Sequence, residues 1–91
     1  MREATVERRL CELARRHGGW ALKWVSPGRV GVPDRLVFMP GGRLYLVELK
    51  APGERPRPSQ LAVHGRLAAL GFPVHVVDDA DAFFRMVDGE A

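Results

Sequence analysis

Three charged residues, Asp34, Glu48 and Lys50, stand near the ends of a predicted β-hairpin. Two runs of apolar and β-branched residues are joined by the turn signal Pro40-Gly41-Gly42, which predicts a hairpin over residues 34–50. Directly opposed residues of an antiparallel pair share a face, so a three-residue loop sets Asp34 opposite Glu48, with Lys50 on the same side. A two-residue loop would put the two carboxylates on opposite faces. The favoured register therefore predicts a charged site at the open end of the hairpin.

The same register places four apolar side chains on this face, closer to the turn. They are Leu36, Phe38, Leu44 and Leu46. We expect them to form an apolar core that continues into the charged site.

Two neighbouring carboxylates and a lysine are suited to phosphoryl chemistry. The carboxylates repel one another unless a cation lies between them, and oxygen ligands suit Mg²⁺ or Mn²⁺ rather than zinc. Such an ion polarises a phosphate oxygen and lowers the pKa of bound water, while Lys50 orients the water or stabilises negative charge. The chain has 12 Arg and only 2 Lys, which favours a specific use for this ammonium group. The alternative is that Asp34, Glu48 and Lys50 are ordinary solvated or ion-paired strand ends of an inert α/β domain.

The spacing of these residues is similar to a known nuclease motif. Pro33-Asp34, followed after a strand-length gap by Glu48-Leu49-Lys50, resembles the pattern of the PD-(D/E)xK nuclease superfamily. Together with Glu48-Leu49-Lys50, the segment Gly31-Val32-Pro33-Asp34 resembles the motif of the virus-type replication-repair nuclease (VRR-NUC) branch. The chain is similar to the compact stand-alone members of that branch. The match extends over residues 7–82 and implies an α/β fold: a restriction-endonuclease-like core with a mixed β-sheet flanked by helices.

The resemblance implies a metal-dependent DNA endonuclease. Asp34, Glu48 and the backbone carbonyl of Leu49 would bind Mg²⁺ or Mn²⁺. Lys50 and Gln60 would position the attacking water. His64 lies one turn after Gln60 on the same helix face, and we interpret it as a half-buried structural residue in preference to a phosphate contact.

An acidic residue on the first helix completes the metal site in members of this family. Glu7 is the best match by position, because it borders the apolar stripe of that helix, and Glu3 is the second choice. The alternative for Glu7 is a solvated glutamate that pairs with neighbouring side chains.

The resemblance to the compact stand-alone members of this branch implies a homodimer that cuts branched DNA such as four-way (Holliday) junctions. We therefore expect a homodimer with a DNA substrate. Two other functions stay open: a related nuclease that acts on linear DNA, flaps or RNA, and a non-catalytic DNA-binding or interaction module. Metal-dependent cleavage, lost on substitution of Lys50, separates the catalytic functions from the last one.

Composition sets bounds on these functions. Ninety-one residues with 46% hydrophobic and 27% charged side chains fit one domain over 1–91 with a modest core. We expect no membrane-spanning segment, no secretion signal and, with Cys11 alone, no internal disulfide, which favours the cytoplasm. The net charge is +3, and setting aside Glu7, Asp34 and Glu48 leaves 14 basic against 8 acidic side chains, which suits a polyanionic partner.

The predicted elements follow the order α-β-β-β-α-β-α. They are a helix over 3–17, a strand over 20–25, strands over 36–39 and 44–49, a helix over 59–70, a strand over 72–77 and a helix over 82–87. We expect Trp20 and Trp24 in the core. The acidic run from Asp78 to Asp81 is interpreted as a helix N-terminus in preference to a second metal site.

Overall fold

The computed structural model describes residues 1–90. Its helices and strands are α1 (Glu3–Arg16), β1 (Trp20–Lys23), β2 (Arg35–Met39), β3 (Arg43–Leu49), α2 (Pro58–Ala69), β4 (Val74–Val77) and α3 (Ala80–Gly89). This order confirms the predicted one. The acidic run begins α3 as expected, since the carboxylate of Asp79 accepts a hydrogen bond of 3.0 Å from the Ala82 amide.

The four strands form one mixed sheet in the order β1-β2-β3-β4. The pairs β1–β2 and β2–β3 are antiparallel, whereas β3 and β4 are parallel and connected through α2. This mixed sheet with flanking helices confirms the predicted fold class. No helix within residues 1–90 combines the length and the apolar character needed to cross a membrane.

The hairpin of β2 and β3 has the predicted register. Leu36 pairs with Leu46, and Met39 pairs with Arg43 across a three-residue loop. Continuing this register by one residue beyond the start of β2 sets Asp34 opposite Glu48. The turn at the closed end of the hairpin thus determines which residues meet at its open end.

The core lies on the opposite face of the hairpin from the one predicted. Val37, Tyr45 and Val47 are buried against α1 and α3, while Phe38 is 42% exposed and Leu44 46% exposed. The two most amphipathic helices, α1 and α3, pack on this core face. The other face is covered by α2, which contacts its charged end and leaves the turn end open.

The two tryptophans are also less buried than predicted. Trp20 is 66% exposed and Trp24 is half-buried. The reason is topological: β1 is an edge strand, and Trp20 pairs with Phe38 in the part of the sheet that no helix covers.

The connector between β1 and β2 packs against the start of α2, and Gly31 makes this contact possible. Its φ is +89°, and a Cβ atom there would lie 2.5 Å from the carbonyl oxygen of Ser59. At the end of the connector, the carbonyl of Asp34 accepts a hydrogen bond of 3.0 Å from the Trp24 amide. The backbone of Asp34 is therefore held by the residue that follows β1. The close approach of the connector to α2 depends on a glycine at position 31.

We expect Gly31→Ala to lower the free energy of unfolding by about 3 kcal/mol, because it adds left-handed backbone strain and a clash with the Ser59 carbonyl. Gly28→Ala is the matched control. Its φ is +82°, but no atom lies within 4 Å of the added Cβ. We therefore expect a loss of about 1 kcal/mol from strain alone. Urea unfolding of the three proteins measures the difference, and equal losses would contradict the proposed packing of Gly31 on α2.

Candidate active site

The carboxylate of Glu48 lies in the interior, where it is only 1% exposed. Its Oε2 accepts a hydrogen bond of 3.0 Å from Nε2 of Gln60, and its Oε1 lies 3.2 Å from Nε2 of His64. Gln60 and His64 are one turn apart on α2 and therefore point to the same side. A buried charge requires such partners, and α2 provides one for each oxygen of Glu48.

The side chain of Gln60 is itself held at both ends. Its Oε1 accepts a hydrogen bond of 2.8 Å from the Arg57 amide just before α2, while its NH₂ group donates to Glu48. The first contact caps the helix and the second holds the carboxylate. The structure thus places Gln60 on Glu48, and the role in positioning the attacking water that the resemblance implies stays a prediction.

Asp34 faces Glu48 across the open end of the hairpin. Its Oδ2 accepts a hydrogen bond of 2.7 Å from the backbone amide of Leu49, the residue after Glu48. This contact ties the end of the β1–β2 connector to the end of β3. Asp34 is close enough to act on the ionisation of Glu48.

Burial raises the pKa of Glu48 from its ordinary value of 4.5 to about 8. The neighbouring Asp34 carboxylate is the second cause, through hydrogen bonding and through its negative charge, while Lys50 opposes the shift. Without a cation, the Asp34–Glu48 pair therefore retains a proton at neutral pH.

Burial is also the main cause of the lowered pKa of His64. The imidazole is therefore neutral at pH 7. A neutral ring that carries its proton on Nε2 donates a hydrogen bond to Oε1 of Glu48 when that carboxylate is ionised.

Lys50 directly follows β3 and is only 5% exposed. Its backbone amide donates a hydrogen bond of 3.0 Å to the carbonyl of Val77 at the end of β4. The positive charge of its side chain lowers the pKa of Glu48, as expected for an ammonium group close to the carboxylate pair.

The acidic residues of α1 are arranged differently from the sequence-based expectation. The Oε2 of Glu7 accepts a hydrogen bond of 2.9 Å from Nε of Arg35, which forms a partly buried ion pair. Within residues 1–90, no three side chains of His, Cys, Asp or Glu are grouped closely enough to hold a metal ion. The structure therefore does not bring Glu7 together with Asp34 and Glu48. The charge of Glu3, one turn earlier, does raise the pKa of Glu48.

The donor set of this site fits a hard divalent cation. Two carboxylates that share a proton because they repel one another would both be ionised beside such an ion. Mg²⁺ is commonly bound by one or two carboxylates, with water and phosphate oxygens as its remaining ligands. Asp34 and Glu48 meet that requirement without a third acidic side chain.

Sequence reasoning did not identify the contact between His64 and Glu48. The sequence placed His64 one turn after Gln60 on the same face, and this spacing was the available signal. That the face is turned toward Glu48 depends on how α2 lies on the sheet, which the local sequence does not specify.

The chain is similar to known nucleases in sequence and in fold. No family model matches the chain. A curated protein of Acyrthosiphon pisum secondary endosymbiont phage 1, named "Putative nuclease p44", is 54% identical over 81 residues, which cover 89% of this chain and 87% of that protein. A solved structure titled "VRR_NUC domain" is 32% identical, covers 94% of both chains and superposes with a TM-score of 0.84. The similarity in fold and sequence thus extends over nearly the whole chain.

The raised pKa of Glu48 predicts a pH dependence of stability for the protein in EDTA. A raised folded-state pKa gives stabilisation that is complete below the unfolded pKa of about 4.5 and is lost as pH rises through about 8. Between pH 7 and pH 9 we expect the free energy of unfolding to fall by about 1 kcal/mol. The two histidines with lowered pKa values, His64 and His75, are already neutral in this range and do not contribute to the fall.

Urea unfolding at a series of pH values measures this fall, and Glu48→Gln is the matched control. The variant retains a hydrogen-bonding side chain of the same size but cannot titrate. We expect its stability to change less over the same range. Parallel curves for the two proteins would show that Glu48 does not hold the proton.

Proposed function

This chain belongs to the VRR-NUC family of nucleases, and from that membership we propose that it is a divalent-metal-dependent endonuclease that hydrolyses phosphodiester bonds in DNA. The observation that carries the proposal is the carboxylate pair formed by buried Glu48 and half-buried Asp34, with the ammonium of Lys50 beside it. The chain acts as a single nuclease domain over residues 1–91. Its lone cysteine suits the reducing cytoplasm.

Asp34, Glu48 and the backbone carbonyl of Leu49 would hold Mg²⁺ or Mn²⁺. When bound, such an ion polarises a phosphate oxygen and makes water more acidic. Glu7 remains the predicted acidic ligand from α1. To take that role, its carboxylate must leave Arg35, while Glu3 is the acid of α1 whose charge reaches Glu48.

Three side chains around the carboxylate pair have roles in this proposal. Gln60 and His64 are positioning residues that hold one oxygen each of Glu48, so that the carboxylate keeps its orientation when a phosphate enters. Lys50 is the catalytic cation. It stabilises the negative charge that grows on the phosphate as water attacks phosphorus and the bond to the leaving oxygen breaks. It also orients the attacking water.

We further propose a homodimer that cuts four-way junctions. An apolar row crosses the open face of the sheet. Its members Phe38, Leu44 and Phe72 are 42%, 46% and 54% exposed. An exposed apolar patch of this kind supports an interface with a second copy of the chain. Two active sites related by a two-fold axis suit symmetric cleavage of a junction that has the same symmetry.

We expect the protein to cleave four-way junctions faster than single strands, linear duplex and flaps, and only with Mg²⁺ or Mn²⁺. EDTA should abolish cleavage. Lys50→Ala should reduce its rate about 100-fold or more, because charge on the phosphate then lacks its cation. Lys23→Ala is the matched control, since Lys23 is the other lysine of the chain and is exposed on β1.

The assay uses one labelled strand in each DNA, and circular dichroism confirms that both variants are folded. Binding without cleavage by all three proteins would overturn the proposal in favour of a non-catalytic module. Equal cleavage of every DNA form would retain the nuclease and reject its selectivity for junctions.

Light scattering at micromolar concentration should give twice the chain mass of 10.1 kDa. Phe38→Glu should shift the protein to the monomer mass, because it places a charge in the proposed interface. Leu61→Glu is the matched control, since Leu61 is 55% exposed on α2. A monomer mass for the unsubstituted protein would contradict paired cleavage.

A further inference from the structure

A groove of about 720 Å³ runs along α1 beside the edge strand β1. One stripe of α1 lines it with Ala4, Arg8, Cys11 and Arg15, whose spacing is that of a single helix face. The other wall is the start of β1, and Arg35 of β2 also lines the groove. The groove is therefore separate from the α2 contacts that hold Glu48.

The groove carries uncompensated positive charge. Arg8 and Arg15 are exposed, and neither forms an ion pair with another residue in the described range 1–90. The two acids of the groove are already neutralised: Glu7 pairs with Arg35, and Glu12 pairs with Arg16 and with Arg9 at 3.3 Å. Two arginines thus remain available to an anionic ligand.

The spacing of these arginines suits a nucleic acid backbone. Seven residues along a helix are two turns, or about 10.5 Å, which separates Arg8 from Arg15 on the same face. Phosphates of one strand of duplex DNA are spaced about 3.4 Å apart along the helix axis. The backbone positions of the two arginines are therefore separated by about three phosphate spacings along the axis.

One end of the groove lies close to the candidate active site. Arg35 directly follows Asp34 at the start of β2, so their backbones adjoin, although their side chains lie on opposite faces of the sheet. Glu3 stands one turn before Glu7 on α1, and its charge acts on Glu48. A DNA strand that passed from the carboxylate pair around the open end of the hairpin would enter the groove at its Arg35 end and reach the two exposed arginines.

We propose that this groove binds the sugar-phosphate backbone of the DNA next to the cleavage site, with Arg8 and Arg15 as its phosphate contacts. The inference rests on the proposed function for the identity of its ligand. It adds a binding surface on the α1 side of the sheet and assigns a role to two arginines outside the carboxylate site. In the metal-free protein the ion pair with Glu7 neutralises Arg35, so that Arg8 and Arg15 carry the contact.

Cys11, the only cysteine of the chain, reports directly on occupancy of the groove. In EDTA and low salt, we expect a saturating 40-base-pair duplex or a four-way junction to slow alkylation of Cys11 by N-ethylmaleimide at least 5-fold. The protection should disappear at high salt as phosphate contacts are lost. Mass spectrometry follows the reaction.

The matched control carries Cys11→Ser together with Met86→Cys. Met86 is 37% exposed on α3, and its own neighbouring cavity contains none of the groove residues. DNA should leave the reactivity of this cysteine unchanged. Equal protection at both positions would indicate general shielding and would overturn the assignment, as would a Cys11 that reacts at the same rate with and without bound DNA.

The double variant Arg8→Ala/Arg15→Ala gives a second test. The plot of log binding constant against log salt concentration has a negative slope, and its magnitude should fall by about 2 because two phosphate contacts are lost. The control Arg66→Ala/Arg85→Ala removes two exposed arginines from α2 and α3 and should change the slope less.

Protection of Cys11 and metal-dependent cleavage of DNA test the groove and the catalysis separately. Metal-dependent cleavage with an unprotected Cys11 would overturn the groove assignment and leave the nuclease standing. Salt-sensitive protection of Cys11 without any cleavage would support the groove and reject the catalysis. Absence of DNA binding would overturn the groove assignment.

Discussion

The buried carboxylate of Glu48 is the constraint on which the rest of the site depends. A charged group that is 1% exposed is tolerated only with hydrogen-bond partners or a cation beside it. The fold provides Gln60 and His64 from α2 and Lys50 from the end of β3. The parallel crossover from β3 through α2 to β4 brings that helix onto the charged end of the sheet. Asp34 adds a second negative charge beside Glu48, and the repulsion between the two carboxylates is relieved by a proton or by a cation.

The carboxylate pair lowers the stability of the metal-free protein, as the proposed metal-dependent chemistry would require. An inert domain would place an apolar side chain at position 48, because burial and a second carboxylate both oppose ionisation there. The protein instead maintains the pair through a defined hairpin register, a glycine at position 31 that lets the connector reach α2, and a glutamine fixed by the start of that helix. Each of these features keeps the two carboxylates in place, and oxygen ligands in an electronegative site are what the proposed hard cation would require.

The sequence predicts best those features that local chemistry decides. The hairpin register follows from Pro40-Gly41-Gly42 and the strand pattern, and with it the opposition of Asp34 and Glu48. The order of elements follows from hydrophobic periodicity and helix-end signals. The choice of the sheet face that forms the core does not follow from the local sequence, because both faces of the hairpin are apolar near the turn. Packing of α1 and α3 makes that choice through contacts distant in sequence, and it leaves Phe38 exposed.

The same limit explains the remaining differences at the site. The ion pair of Glu7 with Arg35 joins residues 28 positions apart, and the contact of His64 with Glu48 joins residues 16 positions apart. Neither can be read from helix spacing alone. Spacing did indicate that Gln60 and His64 share a face, and the position of α2 on the sheet then makes both of them partners of Glu48.

The most direct measurement for the central claim is calorimetric titration of Mn²⁺ into the protein at pH 7, in two buffers with different enthalpies of ionisation. The pKa of Glu48 near 8 means that the carboxylate pair must give up its proton to bind a cation. We predict release of about one proton per ion bound, and we expect Glu48→Gln to remove both the release and most of the affinity. Binding without proton release, or binding that Glu48→Gln leaves intact, would contradict the claim that Asp34 and Glu48 form the metal site.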